Sequence, residues 1–275
     1  MNAKSLRNTK LRRAYLGSSS KEKQAPARGL RAQLVRLDGR LRRAYSTPEA
    51  ELGNQAEPLD EAIYILLTFQ TDVARARLIW SRLKDRFPRW DDVACASEDE
   101  LADVLREGGL HRQKARAIKQ LLADVQKRFG VLSLDALYSA SDLEAEKILL
   151  TLHGLSWKGA RCILLYSLGR QAFPVDGNSF RVLRRLGLIS SRLPYRRRSL
   201  HDALQAAVVP GRRRSLHVNL VVHGQRVCLP REPLCDICSV SDFCKTGRAA
   251  ARKPGARVSG RSNEHARRSS GQAFV

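Results

Sequence analysis

Four cysteines crowd into the stretch CLPREPLCDICSVSDFC, at Cys228, Cys235, Cys238 and Cys244, separated by six, two and five residues. A chain that carries them must bring four sulfurs to one centre through a single short loop. A disulfide framework belongs to oxidising compartments and to chains led by a secretory signal, which the N-terminal residues do not resemble. Structural zinc sites usually join two short-spaced pairs, and here only Cys235 and Cys238 form one. An iron-sulfur cluster held by four thiolates suits the compact, unequal spacing better, with zinc as the rival. The other two cysteines, Cys95 and Cys162, sit among apolar residues and read as core packing.

The formal charge is +23, from 50 basic and 27 acidic residues. Such an excess implies a polyanionic partner. Residues 1–27 carry seven basic and one acidic residue and residues 245–275 carry eight and one. Both segments are rich in Ser, Gly and Ala and poor in large apolar residues, so they are expected to be disordered arms that attract phosphates without reading sequence. An organelle transit peptide is the alternative reading of the N-terminal arm. No apolar run approaches the roughly 20 residues of a membrane span. A soluble, intracellular chain that acts as a monomer in the cytoplasm, near the nucleoid, is expected.

Leu30, Leu34, Leu37, Leu41 and Tyr45 alternate at three and four, which predicts an amphipathic helix over 28–46. Helical patterns follow at 59–69, 71–86, 98–106, 111–128, 142–151, 158–168 and 178–186, with glycines at their ends. No segment alternates as a strand does, so the fold class is all-α. The hexamer RRRSLH occurs at 196–201 and again at 212–217. In each copy the serine can cap a following helix, with Ser199 and Asp202 as a capping box. That reading leaves each arginine triplet ahead of a helix N-terminus, as a phosphate contact or as a solvated loop.

The stretch LHGLSWKGA places Lys158 where a helix begins, a position the helix dipole disfavours for a cation. Farther on, FPVDGNSFRVLRRLGL carries Asp176, eighteen residues after Lys158. A helix of about ten residues is roughly 15 Å long, and the turn after it lets both side chains reach one cleft. Alone, Asp176 reads as a helix N-cap.

Together these features resemble the endonuclease III family of helix-hairpin-helix DNA glycosylases. HGQRVC and the cysteine spacing resemble its 4Fe-4S loop; LHGLSWKGA resembles its hairpin; ILLTFQTD, with Gln70, resembles the segment whose Gln fills the gap left by an extruded base; GLHRQKARAI resembles a family turn-helix at Lys114 and Ala115. The likeness spans about residues 28–244. It implies a 4Fe-4S cluster on Cys228, Cys235, Cys238 and Cys244, and double-stranded DNA as partner. It implies DNA contacts from Gly154, Ser156, Gln70, Arg226 and Arg231, and Lys158 and Asp176 as the catalytic pair. A carboxylate stabilises the charge that builds on the sugar as the glycosidic bond breaks. A neutral lysine amine attacks C1′ and allows strand cleavage by β-elimination. Low-dielectric surroundings and positive dipoles are expected to lower the lysine pKa.

The implied function is a bifunctional glycosylase and AP lyase acting on damaged, oxidised pyrimidines. The alternatives are a monofunctional glycosylase and a catalytically silent Fe-S DNA-binding protein. Three departures stand out. Ser156 occupies the second hairpin glycine, a strained place if the backbone there needs a positive φ. Gly177 and Asn178 replace the Thr and His common after the aspartate, and an Asn there resembles the plant 5-methylcytosine-excising branch. The expected division is a basic tail 1–27, an Fe-S domain of 28–53 plus 171–244, a helical barrel domain 54–170 with the hairpin, and a basic tail 245–275.

Overall fold

The computed structural model describes residues 28–48, 52–190 and 192–252. The arms 1–27 and 253–275 lie outside the described residues. Among the described residues there are α-helices, short 3₁₀ turns and one π-turn, and no strand. The helices are α1 Arg28–Tyr45, α2 Pro58–Leu67, α3 Val73–Arg86, α4 Trp90–Cys95, α5 Glu98–Val104 and α6 His111–Phe129. They continue as α7 Asp142–Leu149, α8 Trp157–Cys162, α9 Gly177–Leu186, α10 Arg198–Ala207, α11 Arg213–Arg226 and α12 Lys245–Ala251.

Local chemistry explains most of the boundaries. Ser97 and Ser141 accept from the backbone three residues on, while Glu100 and Glu144 reach back to the cap N–H, so α5 and α7 both open on capping boxes. Asp72 caps α3 by accepting from Arg75 N at 2.9 Å. Gly130 and Gly187, at φ 76° and 83°, close α6 and α9 in the left-handed region that glycine enters without cost.

Several expectations need correction. The periodic run 158–168 is regular only to Cys162 and then widens into a π-turn over Ile163–Ser167. The six-residue α4, pinned by Trp90 Nε1 donating to Asp60 at 2.8 Å, is too short to show a period. Cys95 is exposed and is not core packing, whereas Cys162 is buried. The segment from 245, read as a tail, starts as helix α12, with Gly247 packed on Ser241 and Thr246 Oγ1 donating to Arg185 O at 3.1 Å.

The repeated hexamers also differ from expectation. Arg197 and Arg212 occupy the N-caps, so α10 and α11 begin before the serines. No Ser199–Asp202 box forms, because Asp202 accepts instead from Arg161 at 2.7 Å and Arg198 at 3.1 Å. In the second copy, the fully buried Asp38 of α1 takes Arg212 at 2.8 Å and the Ser215 hydroxyl at 2.7 Å. Of that triplet, Arg212 holds α1 against α11, Arg213 donates to the carbonyls of Val208 at 3.2 Å and Gln205 at 2.6 Å, and the exposed Arg214 lies over the Tyr166 ring. In the first copy, Arg196 and Arg197 stay exposed.

The buried side chains form two large clusters. One lies wholly within Leu59–Ala172; the other joins Leu34, Leu37 and Leu41 of α1 to α9, α10, α11 and the cysteine segment. We propose a domain division near 54 and 171, which these clusters support. α11 is buried all round from Leu216 to Gly224, as befits a helix with other elements on every side.

Arg161 of α8 reaches between the clusters. Its side chain is 4% exposed and donates to Glu146 at 2.7 Å, Asp202 at 2.7 Å and the His201 carbonyl at 2.6 Å. Removing one partner of a buried ion pair strands the other in a low dielectric. Arg161→Ala is expected to cost about 3–5 kcal/mol of unfolding free energy. Urea denaturation of the two proteins measures it, and a loss below about 1 kcal/mol would contradict this account.

Candidate active site and cysteine loop

The turn between α7 and α8 is built around Gly154. Its φ is 78°, and a Cβ there would sit 2.7 Å from Leu66 Cδ2, so a side chain is excluded both by conformation and by the end of α2. Ser156 behaves differently. Its φ is −115°, extended backbone that any residue adopts, so serine in place of the second hairpin glycine introduces no strain. Both Gly154 and Ser156 are exposed.

Lys158 lies in the first turn of α8 and Asp176 is the N-cap of α9, and the structure brings the two into electrostatic contact. Asp176 Oδ1 accepts from Ser179 N at 2.7 Å, the cap expected from sequence. Its other oxygen accepts from the Asn178 amide at 3.0 Å. The Asn178 carbonyl in turn accepts from Arg181 at 2.8 Å, and Arg181 also donates to Gly224 O at 2.8 Å and Cys228 O at 3.0 Å. Burial by itself would raise the Asp176 carboxyl; His217, the Ser179 hydrogen bonds and Lys158 outweigh it and hold the carboxyl below the usual range.

Three residues not proposed from sequence as site residues act electrostatically on the pair: Glu61, Cys162 and His217. Glu61, fully buried on α2, accepts from Asn54 at 2.6 Å and from the Gln55 N–H at 2.7 Å, and burial still pushes it up to about 7. Burial pushes the Cys162 thiol up to about 12, so it stays protonated beside Lys158. His217 Nδ1 lies 2.6 Å from the Tyr166 hydroxyl, and burial drives its pKa down to about 4. Its Nε2 is buried without a hydrogen-bond partner.

The lysine titrates opposite to expectation. Burial works to lower its pKa, but the neighbouring Glu61 and Asp176 carboxylates act against burial and the lysine is raised. These shifts favour an ammonium on Lys158 beside a carboxylate on Asp176. Sequence could not show this, because Glu61 stands almost a hundred residues away from Lys158.

Gln70 is exposed at the end of α2 with φ 50°, unusual for a residue other than glycine. Its neighbour Thr71 hydrogen-bonds Gly108 O at 2.7 Å, and the buried Lys114 ammonium donates to Thr71 Oγ1 and to Gly108 O at 2.8 Å. Burial lowers the Lys114 pKa to about 8.

The four cysteines of the C-terminal loop are unbridged and line one cavity, together with apolar side chains such as Val182, Leu186 and Val240. Among the described residues, no three His, Cys, Asp or Glu side chains are arranged to hold a metal ion. Four sulfur donors lining one cavity are a donor set suited to a soft metal centre. Arg185 braces the loop, donating to Leu229 O at 2.6 Å, to Pro230 O at 2.7 Å and to Cys228 Sγ at 3.4 Å. His223 Nε2 lies 3.7 Å from Cys238 Sγ, while its Nδ1 meets the Tyr45 hydroxyl at 2.8 Å. Burial and the neighbouring thiols raise the pKa of Cys235 and, with burial again foremost, that of Cys238. Such thiols call for a cationic centre if they are to ionise. Arg226 and Arg231, just before and within the loop, are exposed.

Comparison with known proteins agrees with this geometry. The family model described as HhH-GPD superfamily base excision DNA repair protein matches residues 63–203, just over half of the chain. An Arabidopsis thaliana protein with a provisional DNA glycosylase name is 30% identical over 170 residues, 62% of this chain and 57% of the relative. Endonuclease III of Thermotoga maritima is 25% identical over 191 residues, 70% of this chain and 84% of that protein. Among solved structures, a non-covalent endonuclease III–DNA complex superposes with a TM-score of 0.71 at 22% identity, over 81% of this chain and 99% of that one. The chain thus spans a little over half the length of the Arabidopsis relative.

Two outcomes follow from these geometries. Gly154→Ala is expected to lose about 1–3 kcal/mol of stability from strain and the Leu66 overlap, while Ser156→Gly changes it by less than about 0.5 kcal/mol. Equal denaturation midpoints for the two variants would contradict the backbone assignment. For His217, the folded pKa of about 4 lies below the ordinary imidazole value of 6.5. The unfolded chain therefore binds more protons between these values, and stability falls as pH drops from about 6.5 to about 4, by up to about 3 kcal/mol. His223, lowered to about 4 by burial, acts in the same window. Chemical denaturation across that range should show a shallower pH slope in His217→Gln than in the parent.

Proposed function

The chain belongs to the HhH-GPD superfamily of base excision DNA repair proteins, and we propose that it is a bifunctional DNA glycosylase and AP lyase acting on damaged, oxidised pyrimidines in double-stranded DNA. The observation that carries this reading is the electrostatic contact of Lys158, just after the Gly154 turn, with Asp176. The exposed backbone at Gly154 and Ser156 is suited to a DNA phosphate, a contact that positions without reading bases. Excision requires the target nucleotide to leave the stack, and Gln70 stands exposed at the neighbouring loop to occupy the gap.

The ionised Asp176 stabilises positive charge on the sugar as the base departs. Lys158 must first lose a proton. Glu61, poised near neutrality and electrostatically linked to the lysine, is suited to take it. The neutral amine then forms a bond to C1′ as the C1′–base bond breaks and the electron pair leaves with the base. Opening of the sugar ring gives a Schiff base, and loss of a C2′ proton expels the 3′-phosphate. The monofunctional reading is favoured by one observation, the raised lysine pKa, which keeps the nucleophile protonated at rest. In that case Asp176 assists attack by water and no strand break follows.

For the cysteine loop we propose a 4Fe-4S cluster held by Cys228, Cys235, Cys238 and Cys244; when bound, it supplies a redox-active centre that also ties the loop together. Arg226 and Arg231 would then flank a DNA-facing loop.

Borohydride reduction in the presence of an abasic-site duplex tests the lyase. The parent protein is expected to give a covalent adduct and Lys158→Ala none. Base release without an adduct would establish the monofunctional reading, and tight binding without release from any lesion would defeat both. For the loop, purified protein should carry iron and acid-labile sulfide in equal amounts; colourless protein with stoichiometric zinc would overturn the cluster.

A further inference from the structure

The residues of α2 that precede Phe69 are mostly buried, yet the Phe69 ring itself is 53% exposed, directly before Gln70. This exposure is built in. The Phe69 N–H donates to Leu66 O at 3.4 Å, continuing the last turn of α2, and the same Leu66 packs under the Gly154 turn. The loop that follows is tied to Gly108 through Thr71 and Lys114, and beside Gly108 the exposed Leu110 also has a positive φ, 51°. Two of the four non-glycine residues with positive φ among the described residues, Gln70 and Leu110, therefore lie on this pair of hydrogen-bonded loops. Non-glycine residues persist in such conformations where the surrounding structure over-determines them, and they gather at ligand clamps.

On the reading that this protein extrudes a nucleotide from duplex DNA, we infer that Phe69 is an aromatic wedge that stacks inside the duplex beside Gln70 when the nucleotide leaves. A phenyl ring held at a rigid helix end, on the side where the hairpin meets phosphate, offers a π-face to any base. An apolar side chain inserted between base steps is a recurring device for unstacking and kinking a duplex. Gln70 can fill the vacated space with hydrogen-bonding groups, but it offers no stacking surface. Phe69 supplies that surface, and the strong net positive charge of the chain brings the backbone close enough for it to enter.

The test uses the full-length protein and a duplex with a tetrahydrofuran abasic-site analogue, which cannot be cleaved by β-elimination, next to a 2-aminopurine reporter. An undamaged duplex of the same sequence is the reference. The parent is expected to prefer the analogue duplex and to change 2-aminopurine fluorescence on binding. Phe69→Ala should lose about 5- to 100-fold of that preference, the span of stacking one base on an aromatic ring, and most of the fluorescence change. Phe69→Tyr should restore both, and the thermal midpoint should stay unchanged because the ring is exposed. If Phe69→Ala matches the parent in preference and fluorescence, the wedge is overturned while the repair reading stands. If the parent itself shows no preference for the analogue duplex, the repair reading and the wedge fall together.

Discussion

A carboxylate taken out of water and set beside a lysine must be held, or it protonates or turns away. Asp176 is held by two donors, the Ser179 N–H and the Asn178 amide, both from the first turn of its own helix α9. The rest of the centre hangs on this arrangement. Asn178 is oriented by Arg181, and Arg181 is oriented by the carbonyls of Gly224 and Cys228. Gly224 admits Asn178 only because it lacks a Cβ, which would lie 2.7 Å from the Asn178 Cβ. Within six residues, α9 joins the candidate catalytic carboxylate to the backbone of the cysteine loop.

The two core clusters are joined by polar as well as apolar contacts. Arg161 leaves the hairpin helix to bind residues of α10, and Tyr166 crosses to His217 of α11. α11 carries His217 at the pocket and His223 at the cysteine cavity, six residues apart, each with its Nδ1 against a tyrosine hydroxyl. α11 is buried on every side from Leu216 to Gly224, and burial keeps both imidazoles in the neutral form.

What the sequence made legible was local. Periodicity located α1 to α3 and α5 to α9, and cysteine spacing located the loop. The interval from Lys158 to Asp176 suggested that both reach one cleft, and the two lie close enough to interact electrostatically. What escaped depended on distant partners. Ser199 looked like a cap until Asp202 was claimed by Arg161, and the second arginine triplet read as a phosphate contact or a solvated loop, whereas its Arg212 is taken by the buried Asp38 and its Arg213 by carbonyls of Val208 and Gln205. The lysine's proton affinity could not be read because Glu61 belongs to another helix. Ser156 looked strained because the residue type was visible and its φ was not. Cys95, apolar in its sequence neighbourhood, turned outward on a six-residue helix with little to bury.

The π-turn at Ile163–Ser167 bears on how such a chain can change in length over evolution. A π-turn holds one residue more than the regular helix needs, and each helical residue rotates the chain by about 100°. Deleting that extra residue would regularise the helix while swinging Tyr166 away from His217 and shortening the path from Lys158 to Asp176. The irregular turn thus acts as a spacer. It sets the phase between Lys158 before it and Tyr166 within it, so one residue gained or lost there changes the geometry at both ends.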